Sequence, residues 1–217
     1  MLVKNFHDLP KELQCEAVRP YFEILNQRRT SLLCKSIFDR VMAAGMLITL
    51  SPIFLILAIM IKRDSEGEVF FRQTRVTQYG RTFGIYKFRT MVKNAESLGA
   101  QVTSQNDMRV TKVGNMLRSC RLDELPQLFN ILLGQMSFVG PRPVTEPERK
   151  KYGDTFKYIF SVTPGLSGMW QISGRSSTGY DERIFLDTFY IQNWSIWLDI
   201  WIILQTIIVV VTRKGAY

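Results

Sequence analysis

The chain has 217 residues, 46% of them hydrophobic, and its 28 Lys and Arg outnumber 19 Asp and Glu for a formal charge of +9. That length and hydrophobicity fit one globular domain with an attached membrane element, and the charge suits a nucleic-acid surface, an anionic membrane or an anionic substrate. A single histidine, His7, excludes a histidine-based triad or multi-histidine metal site, while the widely spaced Cys15, Cys34 and Cys120 form neither a disulfide framework nor a zinc pattern, so a reducing, cytoplasmic setting fits best.

Residues 1–34 read as an N-terminal extension in which Leu13, Val18, Phe22 and Leu25 permit an amphipathic helix interrupted at Pro20. Within residues 35–63, the run from Val41 to Ile61 carries no charge and is long enough to cross a hydrocarbon core of about 30 Å. It lies too far from the N-terminus for a cleaved leader, and Lys62 and Arg63 follow it in place of a cleavage site. Pro52 removes a backbone hydrogen bond at its centre and disfavours helical geometry at Ser51. Lys35 and Arg40 before the run and Lys62 and Arg63 after it put positive charge at both ends, which suits a hairpin returning to the cytoplasmic face; a kinked spanning helix is the alternative.

Residues 64–217 read as the cytoplasmic part. VFFRQTRV followed by QYGRTFGIYKF predicts two strands joined by a glycine-containing turn, and Met91 to Leu98 reads as helical. Arg109, Lys112 and Arg118 then lead basic charge into the carboxylates Asp123 and Glu124. Because a proline fits only the first helical turn, Pro126 predicts a helix opening just before it. Asp123 would be its N-cap and Glu124 would lie in the first turn. Leu125, Leu128, Phe129 and Leu132 would form the apolar stripe, with Gly134 at the end. The positive helix pole would keep Asp123 ionised and attract a phosphate. On these residues alone, Asp123 is either a helix cap or a catalytic group.

VGPRPVTEP, from Val139 to Pro147, reads as an extended loop presenting Arg142 and Glu146, and TPGLSGMWQISGR, from Thr163 to Arg175, reads as a second loop. The apolar stretch from Trp194 to Val211 is interrupted by Asp199 and Gln205. With Trp194, Trp197 and Trp201 near its start it reads as a helix lying on a membrane or as a buried core helix. The sequence has no repeat and neither a dinucleotide nor a P-loop fingerprint. The uncharged run and the lack of any recognised motif argue against nucleic acid as partner.

In order along the chain, FDR with Ser51-Pro52, FFRQTRV, YKFRTM, NDMRVTKVG, RLDELPQLFN, MSFVGPRP, PGLSGMWQISGR and LDTFYIQNWSIWLDI resemble the bacterial sugar transferases, the monotopic polyprenyl-phosphate phosphoglycosyl transferases. The likeness runs from about Lys35 to Val211. It implies an α+β, mainly helical fold: a re-entrant membrane helix broken at Ser51-Pro52, and a catalytic domain with a small β-hairpin and interfacial helices on the cytoplasmic face of the bacterial inner membrane. It implies transfer of a sugar 1-phosphate from a UDP-sugar to undecaprenyl phosphate, giving a polyprenyl diphosphate sugar and UMP, as the first step of surface polysaccharide or glycoconjugate synthesis.

The resemblance makes Asp123 the nucleophile of a covalent aspartyl-phosphosugar intermediate and Glu124 the Mg²⁺ ligand. It makes Arg118, Arg142, Arg175, Lys87 and Arg89 candidate contacts to substrate phosphates. Asp187 matches an acidic position of the family and is either a substrate contact or the ion-pair partner of an arginine. Two departures stand out: Gly134-Gln135-Met136-Ser137 where the family commonly has an aspartate at the second position, and Pro164-Gly165-Leu166-Ser167-Gly168 where many members have Ile-Thr in place of Leu-Ser. The WQISGR and LDTFYIQNWS wording leans toward galactose or glucose as the sugar. A homo-oligomer is compatible with all of this, and without the resemblance a basic membrane-associated scaffold is the competing reading.

Overall fold

A computed structural model describes residues 3–95, 107–159, 161–173 and 179–212. It is mainly helical, with two small sheets. Helix α1 (Arg19–Gln27) carries Pro20 in its first turn. Proline therefore opens this helix where an interruption was expected, because its missing N–H has no intrahelical partner there. Val18 and Leu25 are buried, and Tyr21 stacks on Tyr158 with ring centroids 4.5 Å apart, so the N-terminal extension is part of the domain core.

Helices α2 (Arg29–Thr49) and α3 (Ser51–Asp64) meet at Leu50 with a bend of 62°. Pro52 cannot donate the bond that Ile48 O would accept, and the Ser51 hydroxyl donates to that carbonyl instead, at 2.7 Å. The serine thus satisfies the acceptor that the proline orphans. No single helix among the described residues is long and apolar enough to cross a membrane, but the bent pair passes that test together. Ile37, Phe38, Val41, Ile48, Leu55 and Ile56 are exposed along it.

Strands β1 (Phe70–Val76) and β2 (Thr82–Phe88) form the expected antiparallel hairpin, with Phe70 opposite Phe88 and Val76 opposite Thr82. Its inner residues Phe83 and Ile85 pack with Ala43 of α2 and with Leu128 and Ile131 of α5 (Gln127–Leu132). Phe88 packs with Leu57 and Ile61 of α3 and with Leu117 of α4 (Lys112–Ser119). One hairpin therefore binds both arms of the bent pair to the domain. Gly134 has φ +72 and ends α5 as expected; a Cβ there would stand 2.3 Å from Nη2 of Arg40 on α2.

Three expectations are corrected. Met91 pairs with Val110 in a β-bridge, residues 93–94 form a turn and Ala95 alone has 3₁₀ geometry, so the described part of the Met91–Leu98 segment holds no α-helix. The first loop stops at Val144, where Thr145 and Glu148 make a reciprocal capping box and Glu146 and Pro147 open α6 (Glu146–Lys151). The second loop contains β4 (Gly165–Ser167), paired in parallel with β3 (Ser137–Val139), and then α8 (Met169–Ile172). Glycine near these strands serves close backbone approach: a Cβ on Gly165 would stand 2.1 Å from the amide nitrogen of Gly140.

Helices α7 (Phe156–Ile159), α9 (Tyr180–Asn193) and α10 (Ile196–Val211) complete the chain. Helix α10 buries Ile202 and Asp199 and exposes Trp197, Ile200, Trp201, Leu204, Ile207 and Ile208. Trp194 is buried, and its Nε1 donates to Asp199 Oδ2 at 3.1 Å, so only two of the three tryptophans face outward. Lys35 of α2 forms an ion pair with the same carboxylate at 2.7 Å, and Tyr190 donates to its Oδ1 at 2.8 Å. Asp39 accepts from the Ser137 hydroxyl at 2.6 Å and lies 3.7 Å from the Lys35 ammonium. This buried network bolts the base of α2 to α10 and β3.

Candidate active site

The Asp123–Glu124 pair lies on a 3₁₀ turn, Leu122–Glu124, entered through Arg121 in the left-handed region at φ +57. Pro126 occupies the cap position of α5, so Asp123 caps no helix. The reason is local: the Arg121, Glu124 and Leu125 amides already donate to Arg118, Arg121 and Leu122 carbonyls. Among the described residues, no other residue donates a hydrogen bond to the Asp123 carboxylate. The stripe differs too: Leu128 and Ile131 are buried while Leu132 is exposed.

The pair is electrostatically split. Burial raises the Asp123 pKa, the Glu124 charge beside it raises it further, and Lys87 and Arg118 only partly offset this, leaving it at about 6. Helix polarity was expected to hold this acid low, and burial reverses that. For Glu124, burial is outweighed by Lys87, whose Nζ stands 2.9 Å from Oε1, and by Arg142 and Arg121, which together bring it to about 2. One acid is held as a firm anion, and its neighbour is bonded by its own backbone amide but by no other described residue.

Cations surround them. Lys87 reaches Glu124 from the end of β2. Arg118, in the last turn of α4, donates from Nε to the Thr90 hydroxyl at 2.8 Å and acts on Asp123. Arg142 lines a narrow cleft together with Arg75, Lys87, Glu124, Gln127 and Pro143. Arg121 and Arg75 were not singled out from the sequence. Arg121 acts on both acids, and Arg75, held by Glu148 at 3.0 Å, has its pKa lowered to about 10 by burial and then by Arg142. Arg75 sits in the FFRQTRV block and Arg121 opens the RLDELPQLFN block, which were the available signals.

Two predicted contacts lie elsewhere. Arg89 is buried, with Nη1 donating to Glu68 O at 2.5 Å and Nη2 to Ser65 O at 2.6 Å and Ile61 O at 3.3 Å. Both of its Nη groups donate to carbonyls at and beyond the end of α3, while its Nε is buried without a bond, so it clasps the hairpin to that helix. Asp187 is buried on α9, with Arg183 Nε as ion-pair partner at 4.0 Å. Arg175 lies outside the described residues. Gln135, the departure from the family aspartate, accepts from the Asn130 side chain at 2.8 Å, and Asn130 in turn bonds the β2 backbone at Tyr86 and Gly84. It fills a structural position.

No group of three or more His, Cys, Asp or Glu side chains suited to a metal occurs among the described residues. Two adjacent carboxylates nonetheless suit a hard cation that keeps several water ligands and shares substrate phosphate oxygens.

A family model described as bacterial sugar transferase matches residues 30–213. The chain is 39% identical over 205 residues to an undecaprenyl-phosphate galactose phosphotransferase of Salmonella typhimurium, covering 88% of this chain and 43% of that protein. It is 40% identical over 198 residues to the exopolysaccharide production protein ExoY of Sinorhizobium fredii, covering 84% and 88%. It is 40% identical over 195 residues to a UDP-glucose:undecaprenyl-phosphate glucose-1-phosphate transferase of Klebsiella pneumoniae, covering 86% and 42%. The chain thus spans under half the length of the Salmonella and Klebsiella relatives and most of the length of the third.

Proposed function

Since the chain belongs to the bacterial sugar transferase family, we propose that it transfers a sugar 1-phosphate from a UDP-sugar to undecaprenyl phosphate, releasing UMP and initiating assembly of a surface polysaccharide. The observation that carries this reading is the split acid pair: an Asp123 carboxylate that accepts no hydrogen bond from another described residue, beside a Glu124 anchored by Lys87 in a cleft that Arg75 and Arg142 line. Relatives named for galactose and for glucose transfer support a hexose donor.

An Asp123 oxygen attacks the phosphorus that bears the sugar, and the bond from that phosphorus to the UMP oxygen breaks as UMP leaves. An oxygen of the lipid phosphate then attacks the same phosphorus and releases the Asp123 carboxylate. Two anionic substrates are thereby handled in turn, which predicts ping-pong kinetics. Desolvation serves the first step, because a carboxylate stripped of hydrogen bonds is a better nucleophile. Arg118 and Arg121 flank Asp123 and can hold the equatorial oxygens, while Arg142 and Arg75 neutralise the rest of the diphosphate. Glu124 would hold a magnesium ion, which when bound shields the diphosphate charge. Lys87 keeps Glu124 ionised and oriented.

The bent pair reads as a re-entrant hairpin with both ends on the cytoplasmic face, and α10 as an interfacial helix. The apolar residues exposed on both support this, as does the packing of the β1–β2 hairpin, whose Lys87 pairs with Glu124, against the bent pair. The protein then works at the inner membrane, taking its lipid and its nucleotide from one side.

The test is turnover: purified protein with Mg²⁺, undecaprenyl phosphate and UDP-galactose or UDP-glucose releases UMP, and Asp123→Asn does not. Failure of every UDP-sugar to yield UMP would sink the reading. Cysteine labelling next to Arg40 and Lys62 from opposite sides of the membrane would end the hairpin.

A further inference from the structure

Arg142 belongs to two neighbourhoods. It acts on Glu124 in the cleft, and it also stands 5.6 Å from the ring centre of Trp170 and acts on Asp187. Among the described residues, the second neighbourhood contains buried polar atoms without hydrogen bonds. Asp187 is 1% exposed, and neither of its oxygens accepts one. Arg183 is 6% exposed, its Nε and Nη2 donate none, and its approach to Asp187, at 4.0 Å, is an ion pair too long for a hydrogen bond. The hydroxyl of the buried Tyr152 is unpaired as well. Tyr152 and Trp170 present their rings to Arg183 at 5.2 and 4.8 Å.

A buried polar atom left unpaired loses its hydration with nothing to replace it, so a cluster of them calls for a partner that supplies the missing bonds. The mix of groups selects the partner. A phosphate offers acceptors only, and Asp187 would repel it. A hydroxyl both donates and accepts: it can donate to Asp187 while accepting from Arg183 or Tyr152, and the carbon face of the same molecule can pack on Trp170.

We propose that Asp187, Arg183 and Tyr152 form a subsite recognising vicinal hydroxyls of the donor, on its hexose or its ribose, with the donor's phosphates lying toward Arg142. This rests on the donor being a nucleotide sugar. It makes Asp187 a specificity residue, the substrate contact that the sequence offered as an alternative to an ion pair. A donor lacking the bonded hydroxyl leaves a buried carboxylate unpaired, and a site of this kind discriminates strongly against such analogues.

The experiment compares UDP-galactose and UDP-glucose with analogues deoxygenated singly on the hexose or on the ribose, using the full chain as wild type, Asp187→Asn and Tyr152→Phe, with UMP release as readout. In the wild type at least one deoxy donor loses on the order of 10- to 100-fold in kcat/KM. That penalty collapses toward unity in Asp187→Asn and shrinks in Tyr152→Phe, while the KM for undecaprenyl phosphate holds steady. A penalty on hexose analogues assigns the subsite to the sugar, and one on ribose analogues assigns it to the nucleoside. The isosteric Tyr152→Phe keeps the test alive if Asp187→Asn fails to fold. The proposal is overturned if no deoxy donor is penalised, or if the variants that fold keep the full wild-type penalty, which would mean that Asp187 acts only by holding Arg142. Absence of UMP from every intact donor with the wild type would instead remove the nucleotide-sugar reading beneath it.

Discussion

Among the described residues, the Lys35 and Lys87 clusters each set a buried or half-buried lysine against carboxylates, and they are finished differently. Around Lys35, the Asp199 carboxylate accepts from the lysine, Tyr190 and Trp194, while Asp39 accepts from Ser137. Around Lys87, Glu124 takes the lysine and Asp123 accepts no hydrogen bond from another residue among those described. A buried charge whose lone pairs are filled locks elements together; one left open in a cleft is costly for the fold and available for chemistry. The lesson is that satisfaction, rather than the mere presence of acids and a lysine, separates a structural network from a reactive site.

The largest expected effect breaks the open cluster. Asp123→Asn should lower UMP release by at least about 10³-fold, since an amide cannot form the acyl phosphate. A variant retaining substantial turnover, with folding verified by its melting curve, would make the two clusters equivalent.

Next comes the closed cluster. Lys35→Met leaves Asp39 and Asp199 buried without their cation and should cost roughly 3–5 kcal/mol. Chemical denaturation in detergent reads this directly, and a loss under about 1 kcal/mol would show that the network does not carry the join between α2 and α10.

The third prediction sets stability against activity. Because the folded-state pKa of Asp123, about 6, lies above its ordinary value of 3.8, the folded protein binds this proton more tightly than the unfolded chain. The stability it confers is complete below about pH 4 and is lost as pH rises through about 6. Asp123→Asn should therefore be neutral or stabilising at pH 7, by up to about 3 kcal/mol, while it abolishes turnover. For the same reason, wild-type kcat/KM for the donor should rise with pH through about 6 and then level off. Lys87→Met should move that limb upward, because Lys87 lowers the Asp123 pKa; an unmoved limb would assign the titration to another group.

The smallest effect lies at the capping box. Thr145→Ala should cost about 1 kcal/mol by freeing the Glu148 amide and loosening the carboxylate that holds Arg75. An unchanged melting temperature together with an unchanged donor KM would separate α6 from the cleft.

Much of this was legible along the chain wherever short-range rules govern. Alternation marked β1 and β2, and Ser51-Pro52 marked the bend between α2 and α3, because a missing N–H acts within one helical turn. The helix expected at Met91 failed where that segment pairs with Val110, a contact local periodicity does not register. The segment at Thr163 was read as a loop because Gly165 and Gly168 signal turns, whereas here glycine admits a neighbouring backbone.

The same division runs through the site. Residue order alone determined that two adjacent acids sit just before Pro126 in a basic protein, and the ordered blocks tied them to a family. Only the tertiary structure decided which basic residues answer them. It committed Arg89 to carbonyls at the end of α3, brought Arg75 to the cleft, set Arg121 to act on both acids, and turned Asp199 from an interruption in an apolar stretch into the anchor of α10. Burial and charge pairing are sums over neighbours distant in sequence, so the pKa separation of Asp123 and Glu124 comes into being only when β2, α4 and the Arg142 loop converge on one turn.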